Sequence, residues 1–255
     1  MKRIKLTVSY DGTNYHGWQI QPKEITVEKV LNDTLSQLLK EEITVIGASR
    51  TDAGVHAMGN VAVFDTETTI PPEKIALALN TKLPKDIRIQ KSEEVDRTFH
   101  PRHCNSKKTY EYWILNRNME LPTERLYTYY YYKQLDIEAM NQAAQYFLGE
   151  HDFKSFCSAR TDVESTVRTI YDLNVRKEGE IIKISVTGSG FLYKIVRIIS
   201  GTLVQVGLHK YAPESIEKII EAKDRTKAGP SAPPQGLRLM KIEYENPCCD
   251  LGKTK

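Results

Sequence analysis

The sequence has little of what would tie a chain to a membrane, an oxidising compartment or a bound metal. Its 255 residues include only four cysteines, at positions 104, 157, 248 and 249, and none forms a C-x-x-C pair. Neither a disulfide framework nor a zinc site is expected. No apolar run approaches the ~18 residues of a membrane-spanning helix. No apolar signal region follows Met1-Lys2-Arg3-Ile4-Lys5, so the expected location is cytoplasmic. Charge of one sign is not in excess either: 36 Lys and Arg meet 33 Asp and Glu, for a formal net charge of +3. A nucleic-acid partner would then need the positive charge gathered on one face. What is present, 40% hydrophobic and 27% charged residues, suits a globular chain with one or two ordinary cores.

The order of elements reads as α+β. Ile4, Leu6, Val8 and Tyr10 alternate with Lys5, Thr7 and Ser9, which predicts a half-buried strand ending at the Asp11-Gly12 turn. The loop from Tyr15 to Pro22 is rich in aromatic and amide side chains. Its Trp18 either plugs the core or forms a lip where bases could stack. Val27, Val30, Leu31, Leu35, Leu38 and Leu39 have helical spacing behind an N-cap at Thr26. Strands are expected near 43–46 and 59–65. A helix starting at Pro71-Pro72 turns Ile75, Ala78 and Leu79 inward and is closed by Pro84. A strand near 87–89 follows. Arg97, His100, Arg102, His103, Lys107 and Lys108 then form a basic stretch, read as a hinge whose charges are either solvated or placed for phosphate.

The second half repeats this outline. Tyr110–Leu115 is a strand, and the tyrosines from Tyr127 to Tyr132 suit another. Asp136 opens a helix with Ile137, Met140, Ala144 and Phe147 on one face, ended by Gly149. Strands near 169–176 and 181–187 flank a turn at Gly179. The expectation is two similar RRM- or ferredoxin-like units with antiparallel sheets joined across a central cleft. The domains are 1–100 and 101–247, with a tail at 248–255. No residue-level repeat proves duplication.

Two stretches carry candidate chemistry. Gly47 to Ala57 connects strand signals and holds one carboxylate, Asp52, two residues after Arg50. Small residues surround the pair. Either Asp52 caps a tight turn, or the loop aims an ionised carboxylate into a cleft with a cation beside it. The second stretch, Phe191 to Val206, reads as a buried helix. Lys194, Arg197, Gly201 and Gln205 form its narrow polar or small stripe. A buried Arg197 requires an acid, since an unpaired buried charge is very costly.

Arg50-Thr51-Asp52-Ala53-Gly54-Val55-His56-Ala57 resembles the RTDAGVHA signature of the TruA family of tRNA pseudouridine synthases. Ser49 stands where many members of the family have Gly. The pattern G-x-x-Y-x-G-W-Q-x-Q from Gly12 to Gln21 is similar to the same family. So are Lys108-Thr109-Tyr110-Glu111-Tyr112, the G-x-H-D-F-x-x-F turn from Gly149 to Phe156, the F-L-x-x-x-V-R pattern ending at Arg197, and Ala232-Pro233-Pro234-Gln235-Gly236-Leu237. Together they cover nearly the whole chain.

The resemblance implies a homodimeric, cofactor-independent isomerase of uridines 38, 39 and 40 in the tRNA anticodon arm. It makes Asp52 catalytic, Tyr110 the residue that contacts the uracil and Leu237 a wall of the site. Arg197 is expected to face Asp52 across the cleft and hold it ionised. Arg50 suits entry into the RNA as the uridine flips out. No metal is implied. Two other classes compete with this reading. A non-catalytic RNA-binding module of two RRM-like units would avoid a lone carboxylate in a basic cleft. A sugar-bond hydrolase would want a second carboxylate, and nothing places the next acids, Asp65 and Glu67, at the site.

Overall fold

The structure is a computed structural model that describes residues 1–158 and 164–245. In chain order the elements are β1 (Lys2–Tyr10), α1 (Val27–Leu39), β2 (Ile46–Gly47), β3 (His56–Thr66), α2 (Pro72–Asn80) and β4 (Ile87–Val95). Then come β5 (Ser106–Asn116), β6 (Tyr129–Tyr131), α3 (Ile137–Gln145), β7 (Gly149–Asp152), β8 (Val167–Glu178), β9 (Ile181–Gly188), α4 (Ile195–Gly207), α5 (Ser215–Ala222) and β10 (Leu237–Tyr244). The fold is α+β with mainly antiparallel strands, as the alternating patterns require. Two compact units emerge: Met1–Ser106 with Leu239–Lys255, and Lys107–Arg238. The tail expected at 248–255, with Cys248 and Cys249, lies outside the described residues.

In the first unit the strand order is β4-β1-β3-β10, with β2 also on β3. β1 runs antiparallel to both neighbours, pairing Ile4 with Phe64 of β3 and Leu6 with Ser92 of β4. Its alternation works as read: Ile4, Leu6, Val8 and Tyr10 are all buried. Thr26 caps α1, its hydroxyl accepting the Lys29 amide at 3.4 Å. In the second unit the order is β5-β9-β8-β7, and β6 joins β5 in parallel. The Asp136 carboxylate caps α3 through the Ala139 amide at 3.0 Å.

The two units share a device for seating a helix on a strand. At the end of α2, Asn80 donates its amide to the Ile89 carbonyl and accepts the Ile89 amide, both at 2.8 Å. In α3, Asn141 does the same to Val175, at 2.6 and 2.8 Å. A carboxamide has both a donor and an acceptor, so one side chain replaces a missing ladder partner.

Several expectations are corrected. α4 begins at Ile195, not Phe191, because Lys194 adopts a left-handed backbone (φ 66°) at the N-cap. Ala76, not Ala78, joins Ile75 and Leu79 in the buried face of α2, which ends at Asn80, ahead of Pro84. β7, α5 and β10 are additional elements. Cys104 packs with Val63 and Phe99, and Cys157 is a buried free thiol. In the basic stretch, the His100 and His103 rings lie 4.0 Å apart, tilted by 39°. Burial and the charges of His103, Arg102 and Arg3 push the His100 imidazole below its ordinary value. No helix among the described residues is long and apolar enough to cross a membrane.

Arg3 and Asp65, directly opposite on β1 and β3, form a two-pronged ion pair at 2.8 and 2.7 Å. The hydrogen bond from Arg3, with its charge and that of Arg97, holds the Asp65 carboxyl below the usual carboxylate range against the opposing effect of burial. A carboxyl lowered in the folded state stabilises fully above its unfolded value, and that contribution disappears as pH falls through the folded value. Asp65→Asn is expected to cost about 1 kcal/mol at pH 7 after solvent screening of this part-exposed pair. The cost should shrink in acid, read as converging urea midpoints of the two proteins between pH 7 and pH 3.

Candidate active site

The loop between β2 and β3 is held by hydrogen bonds to its backbone and to its Thr51 and His56 side chains. Ser49 and Thr51 are buried, Asp52 is half-buried and Arg50 is exposed. The Trp18 amide donates to the Thr51 carbonyl at 3.1 Å, and the Gly54 amide to the Tyr15 carbonyl at 3.2 Å. The Val55 amide returns to the Asp52 carbonyl at 3.2 Å, closing a turn in which Gly54 takes φ 76°. Beneath the loop, the Asn60 amide donates to the Ser49 carbonyl at 3.0 Å and to the Tyr10 hydroxyl at 3.3 Å. That hydroxyl lies 2.7 Å from the Thr51 hydroxyl. Tyr10 and Asn60 are sealed from solvent. The loop ends at His56, whose Nδ1 accepts the Gly12 amide at 3.0 Å.

Close packing fixes the flanks. A Cβ on Gly12 would lie 2.0 Å from the Val55 carbonyl oxygen, and one on Gly17 2.4 Å from that of Thr51. Both neighbours are backbone, so neither position admits a side chain without moving the loop. Trp18 is 1% exposed, and a Cβ on Gly47 would lie 2.3 Å from its indole nitrogen. Trp18 is therefore a core plug, and of the two readings of its loop the structural one holds for this residue. Tyr15 donates to Asp86 at 2.7 Å. Burial, then this carboxylate, push its phenol well above the ordinary value, so it remains a donor. Ser49 brings a buried hydroxyl with no hydrogen-bond partner among the described residues.

In the second unit, Tyr110 and Tyr112 lie two residues apart on β5 and so on one face of it. Tyr110 is buried, its ring edge-to-face with Phe191 at 5.0 Å. Arg197, in the first turn of α4, donates its Nε to the Ala232 carbonyl at 2.8 Å, while its own carbonyl accepts the Ala232 amide at 3.0 Å. The Tyr112 hydroxyl donates to the next carbonyl, Pro233, at 2.7 Å. Burial raises its phenol far above normal, and the Arg197 charge opposes that shift. One turn along α4, a Cβ on Gly201 would sit 1.8 Å from the Pro230 carbonyl oxygen. The stripe read from Arg197 and Gly201 is thus a groove for the segment that leads to the buried Leu237.

The predicted residues therefore fall into two groups. Arg50 and Asp52 share the loop of the first unit, and Tyr110, Arg197 and Leu237 belong to the second. The turn read as structural behaves so: Asp152 caps the short 3₁₀ helix at Phe153 by accepting the Lys154 amide at 3.2 Å and pairs with Lys223 at 2.9 Å. Sequence reasoning misses the bracing roles of Tyr10, Asn60 and Tyr112. Asn60 carries a signal, as a lone amide at the head of the apolar run Val61–Phe64.

A family model described as tRNA pseudouridine synthase matches residues 6–103 and again 143–245. The first stretch includes Arg50 and Asp52, the second Arg197 and Leu237; Tyr110 lies between them. The chain is 48% identical over 244 residues to tRNA pseudouridine synthase A of Thermoanaerobacter sp. (strain X514), covering 96% of this chain and all of that protein. It is 49% identical to tRNA pseudouridine synthase A 2 of Clostridium perfringens and 46% identical to tRNA pseudouridine synthase A of Caldicellulosiruptor bescii, each at the same coverage.

Removing the Asn60 amide leaves the Ser49 carbonyl and the Tyr10 hydroxyl short of a donor inside the protein. Asn60→Ala is expected to lower stability by about 2 kcal/mol, read as a drop in the urea midpoint. An unchanged midpoint would mean that this network does not hold the loop.

Proposed function

The chain belongs to the tRNA pseudouridine synthase family, and we propose that it isomerises uridine to pseudouridine at positions 38, 39 and 40 of the tRNA anticodon stem-loop. The observation that carries this reading is the rigidly tethered loop that presents Asp52, its one carboxylate, half-exposed beside an exposed arginine. Several of the loop's own carbonyls and amides are hydrogen-bonded to its neighbours, which fixes where Asp52 sits.

In the reaction the bond from C1′ to N1 of uracil breaks, the uracil turns within the site, and C5 bonds to C1′. The C5 proton is lost and N1 gains one, so nothing is added overall and no cofactor is required. Asp52 acts on the ribose, by attack at C1′ or by taking a ribose proton to give a glycal; both routes require an ionised carboxylate. Arg197 keeps Asp52 ionised and oriented. The bond from its Nε to the Ala232 carbonyl supports this role by fixing the plane of the guanidinium. Tyr110 stacks on the uracil and assists loss of the C5 proton, and Leu237 closes over the base. Arg50 enters the RNA where the uridine leaves the stack, its planar cation suited to bases and phosphate alike.

The protein acts in the cytoplasm as a homodimer, one subunit gripping the body of the tRNA while the other works on the anticodon arm. Neighbouring targets in varied sequence call for readout of shape and backbone rather than base edges.

Asp52→Asn is expected to abolish pseudouridine formation on unmodified tRNA transcripts while tRNA affinity stays within about threefold, since a neutral isostere cannot act on C1′. Normal turnover by this variant would refute the assignment. For Tyr110→Phe, loss of the phenol should slow single-turnover conversion by about 10²-fold, and full activity would reduce Tyr110 to a stacking surface.

A further inference from the structure

A bulge in β8 and the N-cap of α4 are two backbone irregularities, and each has an exposed tyrosine under a lysine. The register of β8 against β9 shifts between Ile170 and Asp172, which makes Tyr171 the extra residue of a bulge. Its ring is 49% exposed, with the Lys107 ammonium 5.3 Å from the ring centre. Lys107 lies two strands away on β5, on the far side of β9. It reaches across the end of β9, where Gly188-Ser189-Gly190 has almost no side chain to obstruct it. The second irregularity is the left-handed backbone of Lys194. It turns out Tyr193, 50% exposed, with the Lys194 ammonium 5.0 Å from that ring.

The segment from Gly188 to Phe191 links the bulge of β8 to the turn at Tyr193 and Lys194. The Ser189 amide donates to the Thr169 carbonyl at 3.0 Å, and the Thr169 amide to the Ser189 hydroxyl at 3.2 Å. The Arg168 side chain flanks Gly190, and Phe191 joins this segment to the Tyr110 ring. Among the described residues no carboxylate lies within ion-pair distance of Lys107, Arg168 or Lys194. Nearby acids are engaged elsewhere: Glu111 with Arg176 and Trp113, Asp172 with Asn174. Bulges and left-handed non-glycine residues persist where they aim a side chain at something. Here each has a tyrosine ring with a lysine over it, and Arg168 lies beside Gly190 in the segment that joins them.

We propose that Lys107, Arg168, Tyr171, Tyr193 and Lys194 form a track for unpaired RNA that takes the nucleotides next to the target uridine. The tyrosines stack on their bases, and the three cations meet the phosphates. The track rests on the proposed reaction for the identity of its RNA. It needs unpaired nucleotides, because a base engaged in a duplex offers no free face to a tyrosine. It reads no sequence, because every base has such a face.

The test uses the full chain and an anticodon stem-loop transcript with uridine at 39, binding being measured by fluorescence anisotropy from 50 to 200 mM salt. Replacing both rings, Tyr171→Ala with Tyr193→Ala, should weaken binding at least tenfold. Tyr171→Phe with Tyr193→Phe should restore it, since the faces return without the hydroxyls. Lys107→Ala with Lys194→Ala should flatten the slope of log affinity against log salt by about 1.4, or 0.7 for each phosphate no longer neutralised. Wild-type affinity in the alanine pair together with a wild-type slope in the lysine pair would overturn the proposal. Pseudouridine formation by the wild type is read separately. If it fails while the variants still lose affinity, the track stands and the isomerase reading falls; if it succeeds while the variants bind normally, the reverse holds.

Discussion

A carboxamide sealed inside an apolar strand must find partners within the protein, and Asn60 finds them in the loop above it. Its amide holds the Ser49 carbonyl and the Tyr10 hydroxyl, and through Tyr10 it reaches Thr51. The rest of the loop follows from this anchor. With Ser49 and Thr51 fixed from below, the Trp18 amide can meet the Thr51 carbonyl from the side. The glycines at 12 and 17 let the neighbouring backbone approach to where a side chain would collide. On this fixed backbone Arg50 is exposed and Asp52 is half-buried. A network in low dielectric is costly to leave half-made, so the loop has one well-determined shape rather than several.

The second unit solves a similar problem with other residues. The Pro-rich segment before β10 forms only a short 3₁₀ helix at Pro234–Gly236, so the carbonyls ahead of it need donors. Arg197 and Tyr112 supply them at consecutive residues, Ala232 and Pro233, and Gly201 clears the space for Pro230. In each unit one side chain holds a backbone carbonyl near the candidate chemistry, Asn60 that of Ser49 and Arg197 that of Ala232. A backbone carbonyl cannot change rotamer, so such bracing is stiffer than a pair of long flexible side chains.

Much of this was legible because local rules govern it. Thr26 and Asp136 announce their helices as caps, and both accept the expected amides. The alternation in β1 places four core residues correctly. The eight-residue signature locates Arg50 and Asp52 in a loop between strands, where the structure has them. The failures share a cause in tertiary context. Phe191–Lys194 reads as the start of a helix, yet the backbone turns left-handed at Lys194 and the helix waits one residue more. Ala76 and Ala78 are chemically identical and only the packing of α2 on β4 separates them. Asn60 and Tyr112 act on carbonyls that lie 11 and 121 residues away, and no spacing in the sequence encodes such a pairing. Ile216, Ile219 and Ile220 of α5 do carry helical spacing and were there to be read.

The strand β10 makes the first unit discontinuous: residues up to Ser106 are completed by a strand that begins more than a hundred residues later. Its partner β3 already contains the anchor Asn60, and Gly59 beside it lies close to the Met240 carbonyl. During synthesis β3 is made long before β10, so one of its edges lacks its final neighbour in the meantime. An open edge of this kind invites pairing with another chain. The order of manufacture thus leaves the first unit unfinished until the strand from Leu239 has been made. A chain cut short before Leu239 would lose more than its end: it would release an incomplete sheet beneath the loop that holds Asp52.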